Sequence, residues 1–432
     1  MKLFNKKIIA ITGIYFIFLL LILFIFGYTP TNDGDGYIDF AQVCLQSHTI
    51  YPCYSLILGH PFIWNIGAVN AIEASLYTFH SIYPLLILYT LLKAFTAFFI
   101  AKTAAILWNE NIALIAILLF ILYPNNWGEH TTVLSEVPMI FLTLCGLYLA
   151  VSKEKTIYFI LSGILFGLAN WFRPIAIIFI GALILYFIIQ RQNKYILKKS
   201  GALIAGYVTF ILIVGYGCYQ RTGYFIYQAQ SLWFNMAEAT YETSVAPHYN
   251  APMYPKGTIR YIDNMKNKTA IENNEIWKTR SIKWLKKHPL TYIKKIPGRM
   301  VYMYFNDMDN LCAFKQNKKL SENNYITLPY RHFLRQFTHL TSIQYLAVAN
   351  LIYYIFIIIL FLYGIFTCVT KQKKYRKSLF LPLMIIIGGS LSIVIAIHGE
   401  TRFKAPFMPF IFMIAAIGTE QIILKNSKIW KK

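Results

Sequence analysis

The sequence predicts an all-α polytopic membrane protein with about ten membrane-spanning helices. Composition points there first: of 432 residues, 57% are hydrophobic and only 14% charged, against about 45–50% apolar and about 25% charged in soluble domains. The mean hydropathy is +0.49. The second observation is pattern, since long apolar runs alternate with short basic stretches. Together these exclude a water-soluble enzyme and a disordered chain. The net charge of +23 needs no nucleic acid to explain it. Lys and Arg hold cytoplasmic loops in place and meet anionic lipid. Six cysteines without a CxxC pair give neither a disulfide scaffold nor a zinc pattern.

A spanning helix needs about 20 mostly apolar residues. Ten runs qualify: 8–26, 82–101, 107–123, 135–151, 157–172, 174–190, 201–217, 345–369, 379–397 and 403–424. The third and fifth are short. The first reads as a retained anchor, because its apolar stretch is long and Gly27-Tyr28-Thr29-Pro30 lacks a small-x-small cleavage site. Basic clusters set the orientation. They are Lys2, Lys6 and Lys7; Lys153 and Lys155; Arg191, Lys194, Lys198 and Lys199; Lys371, Lys373, Lys374, Arg376 and Lys377; and Lys425, Lys428, Lys431 and Lys432. Ten spans put all of them on one side, the cytoplasm.

Three parts follow. Residues 1–217 form an N-terminal module of about seven spans, with a first outer loop at 27–81. Residues 218–344 form a large outer segment of mixed structure. Residues 345–432 form a C-terminal module of about three spans. Within the outer segment, WLKKHPLTYIKKIPGRM (284–300) mixes aromatic and basic residues around two prolines. That pattern predicts short helices on the membrane surface with snorkelling Lys. Frequent Ile, Lys, Asn, Phe and Tyr suggest an A+T-rich genome, and the expected place is a bacterial inner (plasma) membrane.

Four polar clusters fall at the outer ends of the spans. In the first loop, Asp33 and Asp35 precede a helical apolar face formed by Tyr37, Phe40, Ala41, Cys44 and Leu45. One Asp can cap that helix while the other serves as a general base. The D-x-D spacing also leaves room for a divalent metal. The second cluster is Glu129-His130 with Ser135-Glu136. Here Glu136 is read either as a first-turn acid behind an N-cap Ser135 or as a site residue. His130 is either a loop residue or a participant. Third is Arg173, after a Gly163-x3-Gly167 helix-packing pair. It is a snorkelling residue or an anion ligand. The fourth is the tight turn His398-Gly399-Glu400-Thr401-Arg402. Charge beside two apolar spans is costly unless paired or used. Glu400 and Arg402 can pair, and Arg also suits bidentate phosphate binding. Cys44 and Cys53, sharing an outer loop, are candidates for a disulfide.

These stretches resemble the GT-C membrane glycosyltransferases that use polyprenyl-phosphate sugars, the group of the protein O-mannosyltransferases and lipid A aminoarabinose transferases. The matching pieces are Asp35-Gly-Tyr37-Ile-Asp-Phe-Ala41, Ser135-Glu136, Gly163-x3-Gly167 with Arg173-Pro174, and Glu400-Thr-Arg402-Phe-Lys-Ala-Pro406-Phe-Met-Pro409. They run from about residue 27 to 415. The resemblance implies inverting transfer of a sugar from a polyprenyl-phosphate donor to a hydroxyl of a lipid, glycan or protein at the outer face. Asp35 best matches the general base, with Asp33 second. Arg402 and Arg173 would neutralise the leaving phosphate, and Glu136, His130, Glu400 and His398 would stand nearby. No cofactor is implied, and a metal is not favoured. No WWD-type motif is present, which speaks against a lipid-linked oligosaccharide donor.

Two other classes compete. A transporter or flippase of lipid-linked or anionic substrates would place ionisable residues near the membrane midplane, where Lys93 is the clear instance. A polysaccharide polymerase or ligase would also combine many spans with a large outer loop.

Overall fold

All ten apolar runs are helical in the structure, a computed structural model that describes residues 2–190, 195–241, 256–315, 326, 328 and 337–429. Arg191, Lys194, Lys431 and Lys432 of the basic clusters lie outside these residues. The helices of the N-terminal module are α1 (Lys2–Phe26), α2 (Asn32–Gln46), α3 (Ile66–Phe79), α4 (Tyr83–Leu107), α5 (Glu110–Ile121), α6 (Glu136–Ser152), α7 (Thr156–Phe172), α8 (Ile177–Ile189) and α9 (Ile196–Thr222). The outer segment holds α10 (Leu232–Tyr241), α11 (Ala270–Lys287), α12 (Pro289–Ile293) and α13 (Ile296–Phe305). The last three are α14 (Ser342–Thr370), α15 (Arg376–Ala396) and α16 (Met408–Ile429).

Six helices are long and apolar enough to cross a membrane: α1, α4, α9, α14, and α15 and α16 with the turns leading into them. A seventh would be α5 continued through Pro124–Thr131, bent by 70°. Helices α6, α7 and α8 are apolar but shorter. Pro124 and Pro174 explain part of this, because proline disfavours helix in the residue before it. The chain is therefore a multi-pass, all-helical membrane protein. Among the described residues the sole β feature is an isolated bridge between Leu58 and Thr269, so the described part of the outer segment is helical where mixed structure was expected.

Packing follows the small residues. A Cβ on Gly163 would stand 2.0 Å from the Leu203 carbonyl oxygen, and one on Gly206 would stand 2.1 Å from that of Ile160. Helices α7 and α9 thus touch backbone to backbone, as the Gly163-x3-Gly167 spacing predicts.

The outer segment is fastened to the last turn. Arg299, expected at the membrane surface, is fully buried. Its guanidinium donates to the Val394 carbonyl at 3.1 Å and the Ala239 carbonyl at 3.2 Å. Tyr292 Oη donates to the Ile395 carbonyl. Gly399 sits so close to the Arg299 carbonyl that a Cβ would fall 2.1 Å from it. Lys404 is also fully buried. It donates to the carbonyls of Met303 (3.2 Å), Asn306 and Thr401 (2.7 Å), and pairs with Asp307 at 3.1 Å. A buried ammonium is tolerable only when its donors are taken up in this way.

Candidate active site

The polar clusters meet in one cavity of about 940 Å³. Asp33 lies in the first turn of α2, where the helix dipole favours a carboxylate. Neither aspartate caps that helix. The cap is Thr31, whose hydroxyl accepts from the Gly34 N–H at 3.0 Å, so Asp33 is free to face the cavity. The loop before it is pinned by Thr29, whose N–H donates to the Thr131 carbonyl at 2.9 Å.

Arg402 joins two of the clusters. Its Nη1 lies 2.8 Å from Asp33 Oδ2, and its Nε 3.0 Å from Glu400 Oε1. The second is a charge contact whose angle falls short of a hydrogen bond. Glu400 also approaches His398 Nε2 at 3.7 Å. Burial by itself would raise the Glu400 carboxyl, but Arg402, His398 and Arg173 reverse the sign and hold it at about 2. Arg173 pairs with Glu136. The two guanidiniums share one aromatic ring, since Arg173 lies 5.3 Å and Arg402 5.6 Å from the Phe403 centroid. Phe403 thereby fixes their separation by cation–π contact.

Ser135 does not cap α6. Its hydroxyl donates weakly to Glu136 at 3.3 Å and accepts from Asn65 Nδ2 at 3.0 Å. Asn65 Nδ2 also reaches Tyr37 Oη at 2.8 Å, so a polar chain links α2 to the start of α6.

Asp33, Glu136, Arg173, His398, Glu400 and Arg402 all line the cavity. Asp35 and His130 do not. Asp35 accepts a hydrogen bond from Tyr28 Oη at 2.7 Å. His130 is buried against α1, with Nε2 2.9 Å from the Leu19 carbonyl oxygen. Of the two aspartates the sequence offers as a base, Asp33 is the one that lines the cavity. Cys44 and Cys53, expected as a disulfide, are two separate buried thiols, and Cys53 Sγ meets Ser55 Oγ at 3.3 Å.

Asp307, Asp309, Glu238 and Arg260 also line the cavity and escaped the sequence reading. Asp307 pairs with Lys404 and accepts from Tyr123 Oη at 2.6 Å. Asp309 accepts from Thr401 Oγ1 at 2.7–2.8 Å. Burial raises the Asp309 carboxyl to about 6, with Lys404 opposing and Asp307 adding to the rise. Lys93, the charge buried in α4, pairs with Glu129. Arg260 pairs with Glu238 at 2.9 Å. Asp33, Glu129, Glu136, Glu238, Asp307, Asp309 and Glu400 are seven of the chain's 18 acidic residues. That scarcity is the signal that could have found them: where acids are rare, Asn306-Asp307-Met308-Asp309 stands out.

The cavity reaches the outside of the bundle between the ends of α8 and α15. There Ile177, 54% exposed, and Ser392, also exposed, belong to its lining. Helices long enough to cross a membrane, a helical segment packed on the last turn and a paired acid–base cavity at the helix ends accord with a GT-C-type membrane fold, that of a class of membrane glycosyltransferases. Residues 63–217 match a family model described as dolichyl-phosphate-mannose-protein mannosyltransferase. This stretch includes Lys93, Glu129, Glu136 and Arg173 but neither Asp33 nor Arg402. Over 98% of its length the chain resembles the Archaeoglobus fulgidus oligosaccharyltransferase in its apo crystal structure, with 11% identity and a TM-score of 0.51. That likeness concerns the fold, and this chain spans 51% of the length of the other. No curated protein matches the sequence.

Proposed function

We propose that this chain is an inverting membrane glycosyltransferase that moves a hexosyl or pentosyl unit from a polyprenyl-phosphate donor to a hydroxyl acceptor. The single observation that carries it is the Asp33–Arg402–Glu400 array beside Arg173–Glu136, in a cavity open between α8 and α15. A lipid phosphate needs cations at the membrane boundary and a hydrocarbon path to reach them. Arg173 and Arg402, held on the Phe403 ring, are the cations. The apolar residues Ile177, Ile178, Ile393 and Ile397 line the path.

In this reading Asp33 takes the proton of the acceptor hydroxyl as its oxygen attacks the anomeric carbon. The bond from that carbon to the phosphate oxygen breaks, and the electron pair leaves with polyprenyl phosphate. Attack opposite the leaving group inverts the anomeric centre. The arginines gain strength as charge collects on the phosphate, so their effect falls on the transition state. Asp35 holds Tyr28 and positions the loop. The acceptor is a lipid, glycan or protein, and the site faces the outside of a bacterial plasma membrane.

No metal is required in this proposal. Asp33, Glu136 and Glu400 already meet guanidinium groups, so the protein's own cations occupy the places where a divalent ion would neutralise those carboxylates. The test uses purified protein in lipid nanodiscs, polyprenyl-phosphate sugar labelled in the sugar, and a bacterial envelope extract as acceptor. Release of polyprenyl phosphate with label transfer, unaffected by EDTA, is the expected result. Turnover of a diphosphate-linked glycan alone would replace this reading by that of a ligase.

A further inference from the structure

A second cavity, of about 700 Å³, shares no lining residue with the first. It lies at the opposite end of α2, between α3 and the end of α9 remote from Lys199. Its walls differ in character. On α3, Asn70, Glu73 and Tyr77 follow at i, i+3 and i+7, one helical face, and all line the cavity. On α9 the wall is Ile213, Val214 and Gly217, with Arg221 one turn further on. Ile213 is 68% exposed, so the cavity continues onto the surface that a spanning helix presents to lipid.

Three features ask for a ligand with both charges. Glu73 and Arg221 face the same space, yet among the described residues they form no ion pair with each other. Glu73 accepts one long bond from the Tyr51 N–H at 3.4 Å, and Arg221 donates to its own helix at Gly217. Burial raises the Glu73 carboxyl above its ordinary range, the Tyr51 N–H and Arg221 opposing only in part, a cost that an adjacent ammonium would remove. Asn70 Oδ1 and Trp171 Nε1, an acceptor and a donor on lining residues, are buried without a partner, which is costly unless a ligand satisfies them.

We propose that this cavity binds an amine-bearing zwitterionic phospholipid, its ammonium on Glu73 and Asn70 Oδ1, its phosphate toward Arg221, and an acyl chain along Ile213 and Val214. Trp171 Nε1 would donate to an ester carbonyl. A primary ammonium donates three hydrogen bonds, whereas a trimethylammonium donates none, and an anionic head leaves Glu73 without a partner.

The test is native mass spectrometry on delipidated full-length protein, titrated with dioleoyl phosphatidylethanolamine, phosphatidylcholine or phosphatidylglycerol. The expected result is phosphatidylethanolamine bound roughly tenfold more tightly than the other two, from one charge-assisted contact. Glu73→Gln should bring it to the level of phosphatidylcholine. Glu275→Gln, on the exposed face of α11, should leave the preference intact. Ile213→Trp should weaken all three lipids by filling the apolar end. Equal binding of the three lipids to the wild-type protein would overturn the proposal. So would an unchanged preference in Glu73→Gln, or an equal loss in Glu275→Gln.

Discussion

Replacing Asp33 and Asp35 separately by Asn tests the proposed chemistry against simple structural damage. Each substitution removes a charge and keeps the shape. Asp33→Asn weakens a contact with Arg402 at 2.8 Å, in which both side chains are about 30% exposed. For a partly exposed ion pair that costs about 1 kcal/mol. Asp35→Asn weakens the 2.7 Å hydrogen bond from Tyr28, worth about 1–2 kcal/mol as a charge-assisted bond in a partly buried setting. The two variants should therefore lose similar stability, within roughly 1 kcal/mol of each other. Their turnover should differ far more. Loss of a general base slows transfer by about 10²–10⁴-fold, equivalent to about 3–5 kcal/mol of barrier. The assay is release of polyprenyl phosphate at saturating donor, with melting temperatures measured on the same preparations. Asp33→Asn should be nearly inactive, and Asp35→Asn should keep most of its activity. Near-normal turnover in Asp33→Asn with a dead Asp35→Asn would return the base to Asp35. Full activity in both would remove the general base from this loop.

Arg402→Lys should lower both donor affinity and turnover, and Arg402→Ala should lower them further, because a point charge cannot replace the planar fork; unchanged binding of polyprenyl phosphate to Arg402→Ala would leave Arg402 a purely structural partner of Asp33 and Glu400. A single Cys placed at Met265 should react with an impermeant maleimide from outside the cell, and one at Lys374 should not; the reverse pattern would invert the proposed topology. Glu400 is held at about 2 against an ordinary 4.5, so its contribution to stability is complete above pH 4.5 and is lost as pH falls from 4.5 toward 2. Glu400→Gln should therefore lose less thermal stability across that window than the wild-type protein, and identical acid profiles would show that the carboxylate contributes nothing.

The membrane helices were legible in the sequence because their cause is local. An apolar run of sufficient length is helical in a bilayer wherever its partners are, since its backbone must be satisfied within the segment. Gly163 and Gly167 belong to the same kind of knowledge, a small-residue pair whose spacing lets a helix approach, whereas the partner, α9 at Gly206, came from the structure. The polar turns were legible for a related reason: charge is scarce in this chain, so Glu136, Arg173, Glu400 and Arg402 are conspicuous where they interrupt apolar runs.

Only the tertiary structure decided which of those groups face one another. Asp33 and Asp35 are indistinguishable by spacing, yet roughly 100° per residue around α2 turns one toward Arg402 and the other toward Tyr28. Thr31 rather than an aspartate caps the helix because its hydroxyl is the one placed against the Gly34 N–H. Asp307, Asp309 and Glu238 reach the cavity through the folding of a long outer segment, and Arg299 and Lys404 secure that segment by giving their charges to backbone carbonyls. The contacts of Lys404 with Met303 and of Arg402 with Asp33 join residues more than 100 positions apart. A local pattern carries no information about which distant partner will arrive. Helix formation and membrane burial act over a turn or a span and can be read in order along the chain, whereas the site is made by the closure of the chain on itself.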